Sequence, residues 1–200
     1  FSDDRHLFFC VGDVSGHGIP AALFMARVVG LMRITAMSAR EPECVLQQLN
    51  DQLCIGNETN MFVTLFCASL NLDTGKLRYA HGGHCAPVLL RSGHASPLTL
   101  PKGALIGVIP GVGYVAGEIV LDEGDTLICY TDGVTEAENS RAEQFGEAQL
   151  LATMNTQSGG SAGSAIAAVR EATRAFCTSH PQADDITLLA LRYHGDPEGG

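Results

Sequence analysis

The spacing of apolar residues changes period four times along the chain, and this alternation limits the possible folds more than any single motif does. A short apolar run, Leu7 to Val11, precedes two segments of helical periodicity, Ile19 to Met37 and Cys44 to Cys54. In the second of these, Val45, Leu46, Leu49 and Leu53 fall on one helical face. Met61 to Leu72, Lys76 to Ala80, Ala86 to Arg91, His94 to Leu100, Tyr114 to Leu121 and Thr126 to Thr131 read as strands. Asp73-Thr74-Gly75, Ser92-Gly93 and Asp122-Glu123-Gly124-Asp125 supply turns between them, and Pro101 to Gly113 a longer loop. Helical spacing returns over Phe145 to Met154 and Ser164 to Thr178, with Ile166, Val169, Ala172 and Phe176 inward, before a last strand at Ile186 to Tyr193. Two helix pairs around a block of strands predict a layered α+β fold with mainly antiparallel sheets, not a doubly wound parallel sheet.

A chain of 200 residues fits one domain with a substantial core, and 46% hydrophobic against 17% charged residues is a globular balance. The net charge of -10, with 12 Lys and Arg, argues against a nucleic-acid groove and against a polybasic membrane patch. Ile19 to Met37 is apolar enough to suggest a membrane span. Arg27 and Arg33 at its middle oppose that, so it predicts a buried core helix. Seven cysteines, an odd number without a C-x-x-C pair, predict reduced core residues in a cytoplasmic protein. Zinc at His81, His84 and Cys85 is not favoured, because no second ligand pair at zinc spacing exists. The sequence opens on Phe1 without a start methionine, so the expectation is a portion of a longer protein.

Chemistry concentrates in Val11-Gly12-Asp13-Val14-Ser15-Gly16-His17-Gly18-Ile19-Pro20, which joins the first strand to the first helix. Glycines there permit positive φ and close approach to a ligand, and Pro20 suits a helix's first turn. Asp132 follows another predicted strand, and Asp184 and Asp185 precede the last one. If that last strand runs antiparallel to the other two, the carboxylates converge on one rim of a sheet. Converging carboxylates repel unless neutralised, and an all-oxygen site favours Mg²⁺ or Mn²⁺. Spacing alone leaves two plainer readings open: Asp13 or Ser15 as a helix cap, and three unrelated turn aspartates.

The three motifs D-V-S-G-H-G followed by I-P-A-A, T-D-G-V-T-E-A, and A-D-D-I-T-L-L occur in this order over residues 7 to 193. Together they resemble the bacterial stage II sporulation protein E family of metal-dependent serine/threonine phosphatases, related to the eukaryotic type 2C enzymes. Met61-Phe62-Val63-Thr64-Leu65-Phe66, His81-Gly82-Gly83-His84-Cys85-Ala86-Pro87 and Glu143-Gln144-Phe145-Gly146 fit the same pattern. The resemblance implies an αββα sandwich, a phosphatase domain over residues 1–193 and a frayed tail over 194–200. It implies two Mn²⁺ or Mg²⁺ ions held by Asp13, the Val14 carbonyl oxygen, Asp132 and Asp184. Asp185 stands where relatives carry Asp or Asn.

Relatives also carry an upstream aspartate on a strand before Phe1, so the resemblance implies a domain lacking its first strand, with Asp3 and Asp4 on the following turn. His17 is a candidate for protonating the leaving serine oxygen or orienting a water, and equally for an exposed cap. Ser15 is disfavoured as a nucleophile because no His and acid pair is arranged to activate it. The implied partners are a phosphorylated anti-anti-sigma-type protein and an upstream sensory or receiver domain acting on the helix hairpin from Pro20 to Cys54. A bare sheet edge suggests a homodimer. A catalytically silent binding module is the competing class; a metal-dependent nuclease is opposed by the acidic charge.

Overall fold

The computed structural model describes residues 5–178 and 184–195. The chain divides into two compact units, Phe1–His84 with Thr99–Val120, and Cys85–Leu98 with Leu121–Gly200.

The first unit is built on a four-stranded antiparallel sheet. Its strands are β1 (His6–Val14), β2 (Val63–Asn71), β3 (Lys76–Gly82) and β6 (Gly117–Val120), in the order β1-β2-β3-β6. The β2–β3 hairpin is closed by Asn71, whose side-chain oxygen accepts from the Thr74 backbone at 2.9 Å. Alternate residues of the sheet, Phe8, Val14, Val63, Leu65, Cys67 and Ala80, pack against helices α1 (Gly18–Ser38) and α2 (Pro42–Cys54). The predicted α2 face is the buried one: Val45, Leu46, Leu49 and Leu53 are fully enclosed. Each such side chain contributes about 1.5–3 kcal/mol of burial. The opposite sheet face carries Phe9, Phe66 and Tyr79, with neighbouring ring centroids 6.5 and 5.9 Å apart.

Polar ties hold the helices and the long loop in register. Arg78 on β3 pairs with Glu43 on α2 and with Glu118 on β6. Arg27 of α1 donates to the carbonyl oxygens of Gln52 and Ile55 at 2.6 and 2.8 Å, satisfying acceptors that the end of α2 leaves open. Buried Asn50 of α2 reaches the loop over residues 101–113. Its Oδ1 accepts from Gly107 N and its Nδ2 donates to Ile109 O, each at 2.9 Å.

The second unit has the sheet order β5-β4-β7-β8, from β4 (Val88–Arg91), β5 (His94–Pro97), β7 (Thr126–Tyr130) and β8 (Leu188–Arg192). All its pairings are antiparallel, and β7 is buried along its whole length. Helices α3 (Gly146–Asn155) and α4 (Ala162–Cys177) share a core with Val88, Leu90, Ile128 and Tyr130.

The predicted order of elements and the two helix pairs stand, with five corrections. The first strand extends to Val14, so Asp13 lies inside β1, opposite Thr64, instead of following the strand. The carboxylates do not share one sheet: β1 belongs to the first unit's sheet, β7 and β8 to the second's. The expected buried core helix buries only one side of α1, through Phe24, Val28, Met32 and Ala36. Ile19, Leu23, Ile34 and Met37 are 77, 68, 67 and 81% exposed. The segment Gly18–Met37 is long and apolar enough to cross a membrane by length and composition. On α4 the inward set is Ala165, Val169 and Thr173, with Ile166, Ala172 and Phe176 only partly buried. All seven cysteines are free thiols, but only Cys67 and Cys129 are buried; Cys44 is exposed and the others are partly buried, so they are not core residues as a set. Asp3, Asp4 and most of the expected tail lie outside the described residues.

Candidate functional site

Asp132 and Asp184 are brought together inside the second unit. Asp132 follows β7, in a turn closed by Glu136 N and Thr135 Oγ1 donating to its carbonyl oxygen at 2.8 and 3.2 Å. The segment before β8 is latched beside this turn by Thr131, whose hydroxyl donates to Asp185 O at 3.0 Å and accepts from Thr187 N at 2.9 Å. Gly133 permits the approach, since a Cβ there would stand 2.5 Å from Asp185 O. The Asp132 and Asp184 side chains consequently offer carboxylate oxygens within 4.8 Å of each other.

Among the described residues Asp132 Oδ1 is buried with no hydrogen-bond partner, while Asp184 is exposed and its Oδ1 accepts from Asp185 N at 2.8 Å. A buried carboxylate oxygen without a donor is costly unless a cation meets it. The oxygen-only donor set suits Mg²⁺ or Mn²⁺, so these residues fit the divalent ions that the sequence motifs suggest. Asp185 is exposed, and the bonds described for it run through its backbone.

In the first unit, Asp13 is half-buried at the end of β1, and Val14 closes the strand opposite Val63. The turn beyond them is pinned by Ser15, whose N–H donates to Phe62 O and whose Oγ accepts from Phe62 N, both at 2.9 Å. That engagement gives Ser15 a structural task. Neither Asp13 nor Ser15 caps α1: the N-cap is His17, which is exposed and makes no side-chain capping bond. Sequence reasoning gave no role to Thr64 and Gly133, and weighed His84 only as an unfavoured zinc ligand. All three lie in motif segments, which were a signal of importance without an assignable role.

A pair of antiparallel sheets, each carrying two helices, with aspartates at strand ends, is the architecture of a PP2C-type serine/threonine phosphatase domain. The SiaA-PP2C domain of Pseudomonas aeruginosa superposes with a TM-score of 0.85 at 19% identity, covering 96% of this chain and 78% of that one. The PstP catalytic domain, solved in complex with two manganese ions, gives a TM-score of 0.62 at 15% identity over 95% of this chain and 88% of that one. The chain belongs to the Stage II sporulation protein E (SpoIIE) family, whose sequence pattern matches residues 3–194. It is similar to Protein IcfG of Synechocystis sp., 25% identical over 94% of this chain. It is also similar to the phosphoserine phosphatase RsbU of Bacillus subtilis, 30% identical over 67% of this chain. The matches span 34% and 40% of those two proteins.

Proposed function

We propose that this chain is a Mn²⁺- or Mg²⁺-dependent phosphatase acting on phosphoserine or phosphothreonine of a regulatory protein, of the anti-anti-sigma type, in bacterial cytoplasmic signalling. The observation that carries the reading is the buried Asp132 Oδ1, without a hydrogen-bond partner among the described residues, on a carboxylate that comes within 4.8 Å of the Asp184 carboxylate. Family membership and the manganese held by the PstP relative support it.

Asp132 and Asp184 would hold the ions, and the family resemblance adds Asp13 and the Val14 carbonyl oxygen to the set, with Asp185 at its edge. When bound, such ions neutralise phosphate charge and activate water for attack at phosphorus. The chain's own residues do the rest. Strand ends and hydrogen-bonded turns hold the carboxylates before any ion arrives, which limits reorganisation on binding. His17, exposed at the start of α1, is our candidate for handing a proton to the leaving serine oxygen. The acidic net charge of -10 gives a phosphate dianion no attraction of its own, so binding of the phosphoprotein depends on the metals.

Asp132→Asn and Asp184→Asn test the assignment. Each should lower Mn²⁺-dependent hydrolysis of p-nitrophenyl phosphate by about 100-fold or more, the equivalent of several kcal/mol of lost metal stabilisation. Circular dichroism should stay unchanged. Wild-type turnover in either variant removes it from the ligand set. No hydrolysis by the full-length wild-type protein, with tight capture of an unmodified partner, would instead favour a silent binding module. Dephosphorylation of unrelated phosphoproteins, with a phosphorylated anti-anti-sigma partner left intact, would refute the substrate class.

A further inference from the structure

Two polar side chains next to Asp13 have no part in the function so far. Thr64 of β2 is the direct partner of Asp13 in the β1–β2 register, so the two side chains leave the same face of the sheet. Its hydroxyl donates to the Asp13 carbonyl oxygen at 3.4 Å and lies 2.9 Å from His84 Nδ1. A hydroxyl has one proton to give. The 2.9 Å contact ties the imidazole to the hydroxyl in either tautomer, with Nδ1 as donor or as acceptor. His84 is only 6% exposed, so the pair is shielded from competing water.

The backbone is shaped to bring His84 there. β3 pairs antiparallel with β2 as far as His81 opposite Phe66, then turns so that Gly83 bridges Leu65 in the parallel sense. Gly83 has φ +71°, and a Cβ on it would meet the Leu105 side chain at 2.7 Å. A Cβ on Gly82 would meet Ile106 at 2.4 Å. Two successive positions thus favour glycine, and the result is a buried imidazole against the hydroxyl beside Asp13.

We propose that His84, acting through Thr64, is a positioning residue for Asp13: it fixes the end of β1 so that the Asp13 carboxylate is set for a divalent cation before one binds. This rests on the metal-dependent reading above. Groups that orient metal ligands typically change affinity by about 10–100-fold when removed.

Calorimetric Mn²⁺ titration of the full-length protein tests it, with thermal unfolding as the control. Thr64→Val keeps the side chain's shape and removes the hydroxyl; His84→Phe keeps a ring and removes the Nδ1 hydrogen-bonding group. Both should weaken Mn²⁺ binding by about 10-fold or more, and Thr64→Ser should bind Mn²⁺ like the wild type. If either Thr64→Val or His84→Phe folds and binds Mn²⁺ with wild-type affinity, whatever its melting temperature, the inference fails and the pair is structural only. A wild-type protein that binds no Mn²⁺ would overturn the metal site and this inference with it.

Discussion

Tyr114 shows how a single residue can be held in the core at a cost. It is buried, and its hydroxyl has no hydrogen-bond partner among the described residues. Burial pushes its phenol up to about 12, with smaller contributions from Cys54 and Asp51. The folded-state value lies above the unfolded one, so this contribution to stability is complete below about pH 10. It is lost between about pH 10 and 12, as the unfolded phenol ionises first. Tyr114→Phe should therefore raise stability near neutral pH by about 1 kcal/mol, because an unsatisfied buried hydroxyl is removed, and should make the alkaline decline shallower. Urea unfolding at pH 7.5 and 10.5 measures both. At this scale the sequence was legible where chemistry is local. Asp13, Asp132 and Asp184 stood out as carboxylates near strand ends, two of them beside glycine. The partnership of Thr64 with His84 was not, because it spans 20 residues and depends on the turn at Gly82 and Gly83.

Among the elements, the turn after β7 and the approach to β8 function as one piece. Gly133→Ala would drive a Cβ into Asp185 O, and the strain should cost about 1–3 kcal/mol of stability. It should also weaken Mn²⁺ binding through displacement of Asp132; unchanged affinity in calorimetry would show that the turn tolerates the shift. The grip of α2 on its neighbouring loop is open to a similar trial. Asn50→Ala leaves Gly107 N and Ile109 O without their partner, an expected loss of about 2–3 kcal/mol in urea unfolding. The α2 face could be read from spacing because its polar and apolar residues alternate at helical period. The exposed side of α1 could not: its residues are apolar nearly all round, so periodicity carries no direction, and only the packing of Phe24, Val28 and Met32 decides which face is inward. Strand ends were overestimated for the last strand, Ile186 to Tyr193 by sequence but Leu188–Arg192 in the structure. Single backbone bonds go on beyond both ends, from Thr131 N to Thr187 O and between Tyr193 and Gly124 and Asp125, without extending the regular strand.

For the whole molecule, the ligand set proposed above is Asp13, Asp132 and Asp184. Mn²⁺ at about 100 times its dissociation constant should add about 2.7 kcal/mol to unfolding. Hydrogen exchange should then slow in β1 as well as in β7 and β8. Slowing confined to β7 and β8 would exclude Asp13 from the set. The chain passes from one unit to the other three times, after His84, Leu98 and Val120. During synthesis the β4–β5 hairpin therefore leaves the ribosome long before β7, the strand it pairs with, and meanwhile the first sheet still waits for β6. A lone hairpin is barely stable in water, so Val88, Leu90 and Ala95, enclosed in the finished protein, spend that interval exposed to chaperones and to neighbouring nascent chains.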